Sequence, residues 1–283
     1  MKKFREGFMQ VLFMLSALVS IIAVALICIF LFANGVPAIR EIGLVDFLTG
    51  TSWKPEQNIY GILPMIIGSI YVTAGAMLIG VPIGILTALF LVHFCPAGLY
   101  RFLKPAVDLL AGIPSIVYGF FGLTVIVPAI RNGLGGSGSS MLAASVVLGI
   151  MILPTIINVS ESAIRAVPES YYEGSLALGA SHERSVFFTV LPAAKSGVFA
   201  AVILGMGRAV GETMAVIMVA GNQTAMPGGP LQGLRTLTAN IVLEMAYAAD
   251  LHRGALIATA VVLFVFILII NLSFSLLKRR AKL

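Results

Sequence analysis

The sequence predicts an all-α, polytopic membrane protein with six transmembrane helices, and three observations lead to this fold class. Of its 283 residues, 59% are hydrophobic and only 11% are charged, with a mean hydropathy of +1.04. Soluble domains carry about a quarter charged residues, so this chain has too few to cover a surface in water. Its long apolar runs approach the ~20 residues that a helix needs to cross a bilayer. The basic residues that give its net charge of +6 lie near the ends of these runs. They do not form basic stretches interleaved with aromatic residues, which argues against nucleic-acid binding.

Six apolar runs define the predicted spans. They lie at residues 8–32, 64–91, 105–130, 141–159, 197–221 and 255–277. The first run exceeds the apolar core of a signal peptide, about 7–15 residues, and is therefore predicted to remain as a membrane helix. The polar connection that follows it, residues 34–60, contains Trp53 and Tyr60, which are typical interfacial anchors. Residues 131–140 are rich in glycine and serine and predict a flexible turn.

Basic residues predict the orientation of these spans. Of the 18 lysines and arginines, twelve lie at the two termini and in segments 93–104 and 160–195. Five lie in the opposite connections, and Arg208 falls inside the fifth span. Because basic residues accumulate on the cytoplasmic side, we expect both termini and segment 160–195 to be cytoplasmic.

Segment 160–195 is polar, broken by glycine and yet prone to form helices. Pro168 and Glu169 suit the first turn of a helix, and Gly179 suits the position after its end, where a positive φ is needed. Ser181 can cap a second short helix. The sequence therefore predicts two short helices at an angle; by physics alone, an ordinary amphipathic connection on the membrane surface fits equally well.

The spacing within this segment resembles the cytoplasmic signature of ABC-importer permeases. The chain shows Glu173-Gly174-Ser175, then Gly179 six residues after the glutamate, and Leu191-Pro192 at the closing position. Gly174 and Ser175 replace two alanines of that signature, and Thr189 replaces an isoleucine. The resemblance implies that these residues couple the chain to a cytoplasmic ATPase, into which the helix pair docks.

Arg208 and Glu212 are charged residues predicted to lie deep in the fifth helix. Arg208 is about eleven residues into the span, or ~16 Å, which places it near the middle of the bilayer. An arginine there costs roughly 2.5–3.5 kcal/mol, so it needs a cavity or a partner. At spacing i, i+4 the two side chains can pair, which leaves mutual neutralisation or helix packing as one interpretation. The other is an oxyanion site, where the guanidinium donates paired hydrogen bonds and Glu212 favours a protonated oxyanion such as phosphate over sulfate.

The sequence around this pair, Gly207-Arg208-Ala-Val-Gly-Glu212-Thr213, resembles the permease subunits of phosphate ABC importers, of the PstC type. Supporting matches are Trp53-x-Pro55, Gly112-Ile-Pro114-Ser115 and Arg235-Thr-Leu-Thr-Ala-Asn240. The resemblance implies a MetI-like permease core with one extra N-terminal helix. It divides the chain into residues 1–60 (first helix and periplasmic loop), 61–277 (core, with coupling helices at about 168–192) and 278–283 (a basic cytoplasmic tail).

The same resemblance implies a set of partners and a location in the prokaryotic inner membrane. The partners would be a second permease subunit of the PstA type, two copies of a cytoplasmic ATPase and an extracytoplasmic phosphate-binding protein. The chain itself is predicted not to hydrolyse ATP, because it contains no phosphate-binding loop of the Gly-x-x-x-x-Gly-Lys-Ser/Thr form. It is predicted to bind no cofactor and to be no enzyme, since its sequence shows no nucleophile–base pair or metal cluster. ATP and Mg²⁺ would bind to the partner ATPase.

Weaker candidates and alternatives remain open at this point. Ser115 and Thr213 are predicted to line the substrate pathway, although such hydroxyls in membrane helices more often bond to their own backbone. Asp108 is expected to be solvated, and Glu244 to be a polar loop residue. Alternative functions are a permease for another oxyanion or small solute and, from a different class, a proton-coupled secondary transporter with Glu212 as the carrier.

Overall fold

In a computed structural model, which describes residues 2–280, the protein is a bundle of helices with one small β-hairpin. The helices are α1 (Lys2–Ile42), α2 (Leu44–Thr49), α3 (Leu63–Leu89), α4 (Ala97–Gly112), α5 (Ser115–Phe121), α6 (Val127–Leu134), α7 (Met141–Arg165), α8 (Glu169–Ala177), α9 (His182–Ser185), α10 (Leu191–Ala193), α11 (Lys195–Gly211), α12 (Met214–Val219), α13 (Leu237–Glu244) and α14 (Asp250–Arg280). Strands β1 (Trp53–Lys54) and β2 (Ile59–Tyr60) form the hairpin. Three π-helical turns, Phe90–Phe94, Gly122–Ile126 and Val186–Val190, extend neighbouring helices.

Helix α1 is longer than predicted, because it continues through residues 33–42 of the expected polar connection. Tertiary packing explains the extension. Gly35 approaches α14 so closely that an added Cβ would lie 2.7 Å from Val261 Cγ2. Ala38 is buried against the same helix, beside Gly254. The helix ends where Gly43 adopts a φ of 96°.

The predicted third span, residues 105–130, is wrong in its boundaries. The structure has a separate amphipathic helix, α4, followed by a break at Ile113–Pro114 and a helical run over Ser115–Leu134. Proline disfavours the helical conformation in the residue before it, and Ile113 accordingly has φ −70° and ψ 126°. The predicted loop 93–104 is therefore largely helical, and the turn expected from residue 131 begins only at Gly135, which has a φ of 84°.

The predicted fifth span, residues 197–221, is also interrupted. Helix α11 ends at Gly211, Glu212 is extended with φ −71° and ψ 134°, and α12 starts at Met214. The two helices nevertheless follow α7 from end to end. An added Cβ on Gly197 would touch Ala163, one on Gly205 would touch Ile156, and Ser140 N donates to Val219 O at 3.0 Å.

Five or six membrane crossings fit the described residues, depending on whether one bent pair of helices counts as a span. Five helical runs are long and apolar enough by themselves: Phe8–Ile42, Leu63–Phe94, Ser115–Leu134, Met141–Arg165 and Asp250–Ser273. The sixth contains α11, which is bent by 71° from the run His182–Ala193 that precedes it. The predicted six spans agree with the upper end of this range, in which α11 belongs to the sixth span.

The connections between helices collect at two opposite ends of the bundle. The hairpin end contains residues 43–62, 135–140 and 220–249, where Trp53, Tyr60 and Phe47 are buried together. The α8 end contains residues 90–96 and 166–194, where Val186 and Val190 are buried against the end of α3. Polar groups of possible function lie at both ends and in the middle of the bundle.

Candidate functional site

Arg208 is a half-buried cation near the middle of the membrane bundle. Its Nη1 donates a hydrogen bond of 3.2 Å to Thr155 Oγ1 on α7. Thr155 lies close to the centre of Met141–Arg165, so Arg208 is at mid-depth, as predicted. Around it, Gly207 and Gly211 face open space, since an added Cβ would meet nothing within 4 Å at either position. The guanidinium is thus held by a neutral partner beside unfilled space.

The predicted pairing of Arg208 with Glu212 is wrong. Among the described residues, no carboxylate lies within 4.0 Å of the Arg208 guanidinium. The reason is that α11 ends at Gly211, so the i, i+4 geometry of a continuous helix does not reach Glu212. Glu212 Oε1 instead accepts the backbone N–H of Ala215 at 3.0 Å and stabilises the start of α12. The backbone carbonyl of Glu212 accepts a hydrogen bond from Thr238 Oγ1 at 3.1 Å, which stabilises the break between α11 and α12.

Ser115 and Thr213 follow the two backbone breaks. Ser115 is the first residue of α5, and Thr213 precedes the first residue of α12. These two helices run side by side, and they approach so closely that a Cβ on Gly119 would lie 2.9 Å from Ala215 Cα. Because Ser115 and Gly211 each precede that contact by four residues, both breaks lie at one depth. The structure therefore brings Ser115, Glu212 and Thr213 to the level of Arg208, without a mutual hydrogen bond among the described residues.

The two short helices at the α8 end form as predicted. Gly179 has a φ of 85°, and its N–H donates to Leu176 O at 2.9 Å, which ends α8 in a left-handed turn. Ser181 Oγ accepts the N–H of Arg184 at 3.3 Å and caps α9. Glu173 and Gly174 are exposed, and a Cβ on Gly174 would meet nothing within 4 Å. These residues are available to a partner.

Ser175 and Leu191 have an internal role instead of an exposed one. Ser175 Oγ accepts hydrogen bonds from Ser185 Oγ at 3.0 Å and from Thr189 Oγ1 at 3.3 Å. Leu191 is half-buried against the cluster that contains Val186, whereas Pro192 is exposed. Of the six predicted coupling residues, these two therefore position the helices rather than present a surface. Thr189, which replaces the isoleucine of the permease signature, contributes to this positioning through its hydrogen bond to Ser175.

An apolar tip beside Gly179 was missed by the sequence reasoning. Leu178 is 92% exposed at the end of α8, and Phe188, ten residues further, is 77% exposed. Exposed apolar side chains on a polar element mark an interaction surface. The available signal was the position of Leu178 directly before the left-handed glycine, where the chain turns outward.

Glu244 is the centre of a buried polar group at the hairpin end, and not a polar loop residue as expected. Its carboxylate accepts Trp53 Nε1 at 2.8 Å, contacts His252 Nε2 at 2.8 Å and pairs with Arg235, whose Nη1 also donates to Asn240 Oδ1 at 3.0 Å. Burial by itself raises the pKa of the Glu244 carboxyl. The hydrogen bonds from Trp53, Arg235 and His252, with the charge of Arg235, outweigh burial and hold that pKa below its ordinary value.

This arrangement predicts acid-sensitive stability. Because the pKa of Glu244 is lowered by folding, its contribution is complete above the ordinary pKa of 4.5 and is lost as the pH falls through the lower folded-state value. We expect the thermal unfolding midpoint of the purified protein to decrease when the pH is lowered from about 6 to about 3. Glu244→Gln should flatten this dependence of the midpoint on pH. Glu56→Gln, at an exposed position of the same end, is the control; an equal flattening in that variant would contradict the assignment.

A polar break and an unmatched cation in the middle of apolar helices are costly in a membrane unless a solute or water reaches them. Discontinuous helices that meet at mid-depth are typical of transport proteins. The fold and this site therefore define a polytopic membrane transport protein.

The chain belongs to the family of binding-protein-dependent transport system inner membrane components, which it matches over residues 80–283. It is the membrane-spanning permease subunit of an ABC transporter. It is 41% identical over 266 residues to the probable ABC transporter permease protein YqgH of Bacillus subtilis, covering 90% of this chain and 86% of the relative. It is 34% identical over 276 residues to the phosphate transport system permease protein PstC of Mesorhizobium japonicum, covering 90% and 84%. With PstC of Haemophilus influenzae the identity is 33%, covering 93% and 91%.

Solved structures share the fold at lower sequence identity. An inward-facing structure of the MetNI methionine ABC transporter matches with a TM-score of 0.60 and 20% identity, covering 81% of this chain and 99% of the matched chain. A bacterial alginate ABC transporter in complex with its alginate-bound periplasmic protein matches with a TM-score of 0.61 and 15% identity, covering 94% of both chains. The MetI-like permease fold predicted from the sequence is confirmed.

Proposed function

We propose that this permease subunit imports phosphate and forms half of the translocation pathway at Arg208. The observation that carries the proposal is the Arg208 guanidinium, which lies at mid-depth with a neutral hydrogen-bond partner, Thr155, beside open space at Gly207 and Gly211. Relatives named as phosphate permeases, with 33–34% identity over most of the chain, support this choice of substrate.

The chemistry of the site favours a tetrahedral oxyanion. A guanidinium presents paired N–H donors that match two oxygens of such an anion. Since no carboxylate of the described residues neutralises Arg208, an entering anion supplies the missing charge. Glu212, Thr213 and Ser115 lie at the same level, where a carboxylate oxygen accepts a hydrogen bond from protonated phosphate and repels fully ionised sulfate.

Energy reaches the pathway from a separate ATPase in this proposal. The exposed residues Glu173, Gly174, Gly179 and Pro192, together with Leu178, form the contact surface, and Ser175 and Leu191 hold it in place. This surface faces the cytoplasm if the basic residues follow the usual bias, which puts both termini on the same side. ATP and Mg²⁺ bind to the ATPase, and this chain performs no hydrolysis.

Two further partners complete the proposed importer. A second permease subunit of the PstA type supplies the other half of the pathway, since one chain leaves the Arg208 level open at two glycines. An extracytoplasmic phosphate-binding protein delivers the substrate to the hairpin end. The chain's membership of the family of binding-protein-dependent transport system inner membrane components supports this arrangement.

The test is uptake of labelled phosphate into vesicles that contain the assembled complex with its binding protein and internal ATP. We expect uptake that requires ATP, that excess sulfate does not inhibit, and that persists when an ionophore removes the pH gradient. Uptake of sulfate in preference to phosphate would overturn the substrate assignment. Uptake that is independent of ATP and is abolished by the ionophore would instead indicate a proton-coupled carrier.

A further inference from the structure

A polar seam joins α4 to the last turns of α7 at the α8 end of the bundle. Its members recur every three or four residues, so that each set lies on one face of its helix. They are Tyr100, Lys104 and Asp108 on α4, and Asn158, Glu161 and Arg165 on α7. We call these six residues the α4–α7 latch.

Glu161 is the centre of the latch. Its side chain is only 5% exposed, and its Oε1 accepts hydrogen bonds from Tyr100 OH at 2.7 Å and Arg165 Nε at 3.0 Å. Lys104 Nζ lies 3.0 Å from Oε2. The Arg165 guanidinium also covers the Tyr100 ring, 5.1 Å from its centroid. One buried carboxylate thus binds groups from both helices.

The outer part of the latch is more exposed. Lys104 Nζ donates to Asn158 Oδ1 at 2.8 Å, and Asn158 Nδ2 donates to Asp108 Oδ1 at 3.0 Å. The Asp108 side chain is 50% exposed, and it lies 3.3 Å from Lys104 Nζ, so it is only partly solvated. Exposed ion pairs of this kind contribute about 0–1 kcal/mol, so Glu161 dominates the seam.

Polar contacts hold the face of α4 that meets α7, and the apolar residues of α4 are half-buried at most. Within the described residues, no side chain of α4 is fully buried. Leu99, Phe102 and Leu109 are exposed on its other faces. Its principal packing partner is α7, through the latch. Moving the end of α7 must therefore move α4, as long as Glu161 keeps its partners.

The latch lies between the partner-binding helices and the pathway. Arg165 is four residues before Glu169, the first residue of α8. At its other end, α4 leads through the break at Ile113–Pro114 directly into Ser115, at the level of Arg208. We propose that Glu161 is a positioning residue that transmits displacement of α8 to α4 and so to the pathway. This role rests on the proposed coupling of α8 to an ATPase.

The use of charge in the latch supports a positioning role. Burying a carboxylate between two cations costs desolvation energy, and well-packed apolar residues hold two helices together at least as firmly. A carboxylate with directed hydrogen bonds to both helices, however, fixes their register at one point. The α4–α7 latch is therefore no more stabilising than apolar packing would be, but it defines the position of α4 relative to α7.

The test uses the complete complex in vesicles, with Glu161→Gln in the permease. The glutamine side chain keeps a hydrogen-bond acceptor but lacks the charge that holds Lys104 and Arg165. We expect the amount of substrate moved per ATP hydrolysed to fall about fivefold or more, while the complex assembles and hydrolyses ATP. Arg101→Gln, at an exposed position of α4 outside the latch, is the matched control and should keep the wild-type ratio. An unchanged ratio in Glu161→Gln would overturn the proposal.

A second variant separates coupling from stability. Glu161→Gln combined with Lys104→Met removes the more buried of the two cations that lose the Glu161 charge and should recover part of the thermal midpoint. We expect the low ratio to persist in this double variant. A return to the wild-type ratio would show that Glu161 serves stability alone and would overturn the proposal.

A substrate-independent measurement distinguishes failure of the latch from failure of the proposed function. In a background without Cys28 and Cys95, Ile116→Cys at the start of α5 reports its accessibility to a thiol reagent with and without ATP. We expect ATP to change the labelling rate when Glu161 is present and to leave it unchanged in the Glu161→Gln variant. If the complex does not transport phosphate, the proposed substrate is wrong, and this labelling still decides the latch: an equal response to ATP in both backgrounds would contradict it.

Discussion

We expect Arg208→Gln to abolish phosphate uptake by the assembled importer, with a loss of about 100-fold or more, while the protein still inserts and assembles. Glutamine is uncharged and shorter by two atoms, and it cannot supply two charge-assisted hydrogen bonds, each of which is worth about 1.5–3 kcal/mol. Membrane insertion should improve, because the change removes a charge from the middle of the helix bundle. It leaves no carboxylate unpaired, since none of the described residues pairs with Arg208. The measurement is ATP-dependent uptake of labelled phosphate at matched complex levels.

Three variants control this result. Arg208→Lys keeps the charge without the planar pair of donors and should retain only part of the activity. Thr155→Val removes the neutral partner of Arg208, at 3.2 Å, and should have a smaller effect than the loss of the guanidinium. Arg131→Gln removes an exposed cation far from mid-depth and should have no effect. Wild-type uptake in Arg208→Gln would reduce the arginine to a packing role.

We expect Gly179→Pro to uncouple the proposed ATPase from transport. Gly179 has a φ of 85°, whereas proline fixes φ near −65° and removes the N–H that donates to Leu176 O at 2.9 Å. The turn between α8 and α9 cannot keep its shape, and the exposed Leu178 beside it is displaced. Strain of about 1–3 kcal/mol at the contact surface should reduce transport about tenfold or more. Uptake and ATP hydrolysis are measured in the same vesicles.

Neighbouring variants separate the shape of this turn from its surface. Gly179→Asn should be tolerated, because asparagine adopts positive φ more readily than other non-glycine residues. Glu173→Lys and Leu178→Asp change exposed groups without touching the fold and should uncouple the complex. Gly174→Leu adds a side chain where nothing of this chain lies within 4 Å, so any loss of transport must come from a partner. Full coupling in all three surface variants would contradict the docking surface.

Local signals in the sequence predicted most of the fold and one half of the site. The composition, the apolar runs and the turn at Gly179 require only neighbouring residues. The membrane class and the turn are confirmed, whereas the apolar runs gave wrong bounds for the third span and missed the interruption of the fifth. The break at Pro114 also has a local cause, and the predicted continuous helix overlooked it. The error at Glu212 is different in kind. The i, i+4 spacing was correct for a helix, but α11 stops at Gly211, where Thr238, 26 residues away, binds the carbonyl of Glu212.

The sequence by itself determined that this chain is a membrane permease. It also determined at which helix ends the basic residues lie, and where the exposed pair of helices begins and turns. Hydropathy, capping and glycine conformation act over a few residues, so they can be derived without a structure. Only the tertiary structure decided that Arg208 has no carboxylate partner within the described part of the chain, that Glu161 joins α4 to α7 and that Glu244 is buried with Trp53. The Trp53–Glu244 hydrogen bond spans 191 residues and the Tyr100–Glu161 bond spans 61. Helix packing decides these partners, because a buried polar group forms its hydrogen bond with whichever group the fold brings within reach.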